Sequence, residues 1–202
     1  KLNHEIEFYN GSVGELVCWV NVTSLSSSVD TRLVMYYGNL SCGSMENVVG
    51  VWDSDYHGVW HLGETSGGVD AFKDSTSYGY DGTNGSGMNP GDPDTDFDAV
   101  GKIDGAVHFD GVDDTIVTGL YPYDGVRTLE CWAKFDSFPT GSDSYGCAGC
   151  HDGSNHRFFA GLTYPTGGEL SRVWYGVGNK YKQGVASGAS LGSWYYIVLT
   201  AD

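Results

Sequence analysis

The segment SYGCAGCHDGSNHRFF, residues 144–159, places Cys147, Cys150 and His151 in a C-x-x-C-H run. That spacing is the attachment signature of haem c: two thiols form thioether bonds and the adjacent histidine is an axial ligand. His57, His61, His108 and His156 are available as the distal ligand. Against this chemistry, Gly149, Asp152 and Ser154 do not supply the apolar surroundings a haem needs. With His156, the same residues offer four zinc ligands, though without the usual intervening loop. A local Cys147–Cys150 disulfide, or two free thiols, suits the segment better. Of the other cysteines, Cys18 and Cys131 fall on apolar strand faces and read as buried thiols. The total of five leaves at least one unpaired.

Carboxylates on loops are the second chemical resource, and they are what a hard cation such as calcium requires. They cluster at Asp92, Asp94, Asp96 and Asp98, and again at Asp110, Asp113 and Asp114. The first cluster begins like an EF-hand but holds Pro93, lacks the glycine at its sixth position, and ends on Ile103 where the loop needs Glu. No E-x-D-x-x-E strand of a retaining glucanase is present, and no H-E-x-x-H or P-loop occurs. The chain therefore reads as non-enzymatic. For sugar stacking it offers Tyr164, Trp174, Tyr175 and Tyr181, with Trp132, each of which serves equally as sheet surface or core.

Composition narrows the partners. The 26 acidic residues against 10 basic ones give a net charge of −16, which repels phosphate backbones and anionic headgroups. Nucleic acid and membrane surfaces are thus disfavoured as partners. No apolar run reaches bilayer-spanning length, so no membrane insertion is expected. The chain starts at Lys1 without an initiator methionine, which suggests a removed leader or a fragment. Asn10, Asn21, Asn39 and Asn84 each head an N-x-Ser/Thr sequon, the mark of an exported glycoprotein where they are used.

The elements that must hold these residues read as strands. EIEFYN alternates Ile6 and Phe8 against Glu5 and Glu7, a half-buried strand pattern with the apolar pair as its core face. ELVCWVNV sets Leu16, Cys18, Val20 and Val22 on one face, and TRLVMYYGN does the same with Leu33, Met35 and Tyr37. Together these predict a three-stranded β unit. DSTSYGYDGTNGSGMNPGDPDTDFDAVG reads as loops, and strands resume at KIDGAVHFDGVDDTIVTG and TLECWAKFD. SRVWYGVG adds another strand, and SWYYIVLTAD is apolar on both faces, as a central strand would be. Helical periodicity is lacking throughout.

The motifs EIEFYN, GELVCWVNVTSLSSSVDTRLVMYYGN and VVGVWDSDYHGVWHLGE resemble a small β domain of unknown function from microbial and archaeal surface proteins, which typically precedes a laminin-G-like domain. The later motifs DSTSYGYDGT, GKIDGAVHFDGVDDTIVTG, TLECWAKFDSF, HDGSNHRFFAGL and GSWYYIVLTAD are similar to the laminin-G-like, concanavalin A-like jelly roll. This resemblance implies an all-β fold: a small β domain over 1–58, then an antiparallel β-sandwich over 59–202 that ends before its last strands. It also implies calcium on Asp74, Asp110, Asp113 and Asp114. The function it implies is extracellular or cell-surface binding of a glycan or a protein neighbour in adhesion. Self-association through an uncovered sheet edge, as in a filament or envelope layer, is the alternative. Electron transfer through CAGCH is a further one.

Overall fold

A computed structural model describes residues 1–85, 87–88, 97, 99–120, 127–138, 144–151, 157–163, 172–177, 180–183 and 190–201. The protein is essentially all-β, with small antiparallel sheets and no α-helix among the described residues. Its chain divides into two compact units, Lys1–Gly119 and Leu120–Asp202. Position 58, where the sequence suggested a boundary, lies inside the first unit.

The first unit opens with a hairpin of β1 (His4–Asn10) and β2 (Glu15–Val20), paired from His4 with Val20 to Asn10 with Glu15 and bulged between Ile6 and Phe8. Gly14 takes the left-handed conformation in its turn, at φ 74°. After a 3₁₀ turn at Val48–Gly50 come four two-residue strands: β3 (Thr83–Asn84), β4 (Ala99–Val100), β5 (Gly105–Ala106) and β6 (Ile116–Val117). β3 pairs with β6 and β4 with β5, while Phe72 and Gly82 exchange backbone hydrogen bonds. These short ladders enclose Phe72, Met88 and Phe97, with Trp60, Leu62, Val107 and Ile116 packed around them. The Phe72 and Phe97 rings stack at 6.0 Å.

In the second unit, β7 (Arg127–Lys134) pairs with β12 (Trp194–Ala201), and β8 (Ser144–His151), β9 (Arg157–Thr163), β10 (Arg172–Val177) and β11 (Lys180–Gln183) follow one another in a four-stranded sheet. The period-2 reading of TLECWAKFD is met: Leu129, Cys131 and Ala133 are half-buried and Glu130, Trp132 and Lys134 exposed. Ile197 and Leu199 of β12 form the buried centre, against Leu129, Cys131, Ala133, Phe135, Tyr195 and Cys147.

Three strand readings need correction. β12 is not covered on both faces, since Tyr196 and Val198 are each 51% exposed opposite the buried Ile197 and Leu199. Its second apolar face therefore lies open. On β1 the expected face fails at its first pair: Ile6 is 41% exposed while Glu5 is only 6% exposed, and beyond the bulge Glu7 and Phe8 are both half-buried. Specific long-range partners for the glutamates, described below, override the hydrophobic pattern. Finally, TRLVMYYGN forms no strand. Alternation says which side chains would share a face but not whether an edge is met. Here the segment lies between two local turns. In the first, Ser26 Oγ accepts from the Ser28 and Val29 amides, and the second starts at left-handed Gly38 with the Asn39 carboxamide accepting from Ser41.

Candidate functional site

Five sets of residues bear on function. The first was not legible in the sequence. Glu5 Oε2 accepts from the Trp52 indole at 2.9 Å, and its Oε1 accepts from Ser75 Oγ at 2.6 Å. Glu7 Oε2 accepts from the Trp19 indole. Between the two carboxylates lies His61, with Nε2 3.1 Å from Glu5 and Nδ1 3.4 Å from Glu7. Its ring stacks on Trp19 with centroids 5.6 Å apart, and Trp19 in turn meets Trp52 at 5.4 Å. The one available signal was E-x-E on one strand face, with Glu5 placed opposite Trp19 by the hairpin register.

Two carboxylates and an imidazole are catalytic group types, but here indoles and the Ser75 hydroxyl take up three of the four carboxylate oxygens and both glutamate side chains are nearly shut from solvent. The cluster ties the hairpin to the segment around His61 and Ser75, which is structural work. Burial pushes the Glu7 carboxyl above its ordinary value; the Trp19 hydrogen bond and then His61 oppose this, and the charges of Asp104 and Glu5 add to it. A carboxyl raised on folding contributes its stabilisation at acid pH and loses it as pH rises through the raised value. Glu7→Gln keeps an oxygen for Trp19 and removes this loss. Thermal melts from pH 4 to 7 should therefore show the variant gaining on the wild type as pH rises, whereas parallel curves would contradict the assignment.

The second set is the calcium reading. Asp110, Asp113 and Asp114 can bring one carboxylate oxygen each within 4.8 Å of one another. Asp110 and Asp113 are exposed and Asp114 half-buried. The loop also closes on itself: the Asp110 amide donates to Asp114 Oδ2 and the Val112 amide to Asp110 Oδ1, each at 2.7 Å, with Gly111 left-handed at φ 77°. Asp74 is not part of this group. Its Oδ1 accepts from the Val59 and Thr76 amides and its Oδ2 from Thr76 Oγ1 and the Tyr80 amide, all at 2.9–3.0 Å. The Asp74 amide donates to Asp81, whose carboxyl is held below its usual range by the Lys73 ammonium at 2.6 Å and then by that amide. Asp74 is thus the hub of the DSTSYGYDG turn. Asp92, Asp94, Asp96 and Asp98 lie outside the described residues.

CAGCH falls on β8, with Cys147 at a bulge between Gly146 and Ala148. Its thiol packs against the Ile197 and Leu199 core and is in hydrogen-bond contact with Cys131. The sequence set Cys147 beside Cys150; the structure sets its side chain beside Cys131. Trp174 and Tyr175 lie on β10 and Tyr181 on β11, with Gly176 opposite Tyr181 in the register. Tyr164 lies outside the described residues, as does His156.

The sequons differ in what their amides can do. Asn84 Nδ2, the atom a glycan would occupy, is fully buried, and Asn21 Nδ2 donates to the Gly50 and Val51 carbonyls. Asn10 is half-buried, its Oδ1 accepting from the Ser12 amide and hydroxyl, and Asn39 is exposed. Expression in a glycosylating host should modify Asn39 first and leave Asn84 bare, as glycopeptide mass mapping would read; a glycan on Asn84 would contradict its placement.

The last set is an exposed apolar arm. From Leu33 to Leu40 the exposures are 55% for Leu33, 66% for Val34, 63% for Met35, 93% for Tyr36, 86% for Tyr37 and essentially complete for Leu40. In the same unit, β1 is the only strand paired with β2 among the described residues. The outer side of β1 is occupied, because the Asn47 amide donates to the His4 carbonyl and the Ile6 amide to the Glu46 carboxylate. His4 and Ile6 therefore turn their backbone groups away from β2. Their partners Val20 and Cys18 must point theirs outward on the far edge, where no strand among the described residues receives them.

Neither a family model, a curated protein nor a solved structure matches this chain.

Proposed function

We propose that the protein is a non-catalytic, exported binding module that joins a protein neighbour by adding a strand. The arm over residues 32–37 carries this reading. It has the alternation of a strand, six residues to match the six of β2, and its side chains in water. Exposed apolar area of this extent marks an interaction surface, and a chain segment with unsatisfied strand grammar meets its backbone needs at a sheet edge. Pairing of backbone groups supplies affinity there, and alternate side chains supply specificity.

A second copy of this chain is the neighbour the surface fits. Donor arm and open acceptor edge occur in the same unit, so two copies can exchange arms or many can add head to tail. The latter is the filament or envelope-layer form of the same reading. Sedimentation at rising protein concentration tests it: association is expected, and a monomer at every concentration would sink it.

The second unit is read as part of a jelly-roll sandwich, supported by two antiparallel sheets around the Ile197 and Leu199 centre. Calcium support belongs to the proposal through Asp110, Asp113 and Asp114. Millimolar calcium is expected to raise the melting temperature of the wild type and to leave Asp113→Asn unmoved. No shift in the wild type would remove calcium from the reading.

A further inference from the structure

We propose that Cys131 and Cys147 form a disulfide that joins β7 to β8 inside the second unit. Cys131 lies opposite Ile197 in the β7–β12 ladder, on the inward face with Leu129 and Ala133. Cys147 arrives from the other sheet, and the reason it faces this core is the bulge on β8. Gly146 pairs with Gly161 and Ala148 with Ala160, so Cys147 is the extra residue of the ladder. A bulge re-aims the side chain it carries. Both sulfurs thus meet against the same two buried residues, Ile197 and Leu199, in hydrogen-bond contact with each other.

Both thiols are free in the structure, and the bond would draw their sulfurs to about 2 Å of each other. The bond closes the loop of residues 132–146. A cross-link of that span restricts the unfolded chain and stabilises a unit whose fully buried centre is small. It also gives CAGCH a role that its spelling hides: Cys147 serves the core, and Cys150 is left over.

The pair is chemically asymmetric. The Cys147 thiol donates to Cys131, which holds the Cys131 sulfur below the ordinary thiol range and pushes Cys147 far up, with burial adding to the rise. With a small-molecule disulfide as oxidant, the Cys131 thiolate attacks one of its sulfurs and releases one thiolate. Deprotonated Cys147 next attacks the Cys131 sulfur of the mixed disulfide and releases the second. Two electrons pass from the cysteines to the oxidant, and their two protons end on the released thiols. The exchange belongs to folding, before the two sheets close over the sulfurs.

The test is refolding of the whole chain in a buffer of reduced and oxidised glutathione, followed by alkylation and non-reducing tryptic mapping. Cleavage after Arg127 and Lys134 isolates TLECWAK, which carries Cys131 alone. The expected result is TLECWAK linked to the peptide of residues 135–157, with fragmentation placing the link on Cys147 and the alkyl group on Cys150. Cys150→Ser should keep the link and Cys147→Ser should lose it. A Cys147–Cys150 bond, a link from Cys131 to Cys150, or three alkylated thiols would overturn the proposal. The wild-type map decides even if a variant fails to fold.

Discussion

Asp74→Ala is expected to lower the stability of the first unit by about 3 kcal/mol, read as a shift in the urea midpoint. The side chain accepts four hydrogen bonds, three of them from backbone amides fifteen, two and six residues away. A hydrogen bond to a charged group is worth about 1.5–3 kcal/mol, and its loss leaves the donor to find water. The four act on one turn, so their sum overstates the whole. Asp74→Asn keeps Oδ1 for Val59 and Thr76 but turns an amide NH₂ toward Thr76 Oγ1 and the Tyr80 amide. It should fall between wild type and alanine. The loss should be the same in calcium and in chelator, because the carboxylate is already committed to protein donors. A loss seen only in calcium would return Asp74 to the metal set that the family resemblance implied.

The second large effect concerns association. Replacing Leu33, Met35 and Tyr37 together with serine is expected to weaken self-association by more than tenfold in sedimentation, with unchanged far-ultraviolet circular dichroism. Burying each such side chain is worth about 1.5–3 kcal/mol, and a tenfold change needs only about 1.4. Serine adds no charge, so the result cannot be attributed to repulsion in a chain already at −16. Val20→Pro attacks the other half of the contact. The Val20 amide points away from β1, so proline removes an edge donor without removing a hairpin hydrogen bond. Both variants should be defective, and association unaffected by either would exclude the arm and the β2 edge as its cause.

What the sequence disclosed and what it concealed follow from the range of the forces involved. β7 was legible because alternation of Leu129, Cys131 and Ala133 against Glu130, Trp132 and Lys134 is local and the structure buries one face of it. The all-β class was legible for the same reason. The face of β1 was not, because Glu5 and Glu7 go inward only where Trp19, Trp52, His61 and Ser75 wait for them, up to seventy positions along the chain. A hydrophobic pattern counts side chains and does not see partners.

The acidic loop was found by composition, since Asp110, Asp113 and Asp114 are neighbours in sequence. Asp74 was named as a ligand through family resemblance, and its oxygens turn out to organise the surrounding turn. CAGCH shows the opposite limit. Spacing along the chain relates Cys147 to Cys150, whereas a bulge relates Cys147 to Cys131 on another strand. No motif records that relation.

Hydrogen exchange at low and high protein concentration, read at single amides, tests the central claim most directly. If the arm adds to the β2 edge of a second copy, the amides of residues 32–37 and the outward amides of Cys18 and Val20 exchange freely when dilute and become protected together when concentrated. Protection of both at every concentration would mean that the arm pairs within its own chain, and free exchange at every concentration would mean that it pairs with nothing. Either result would contradict the account.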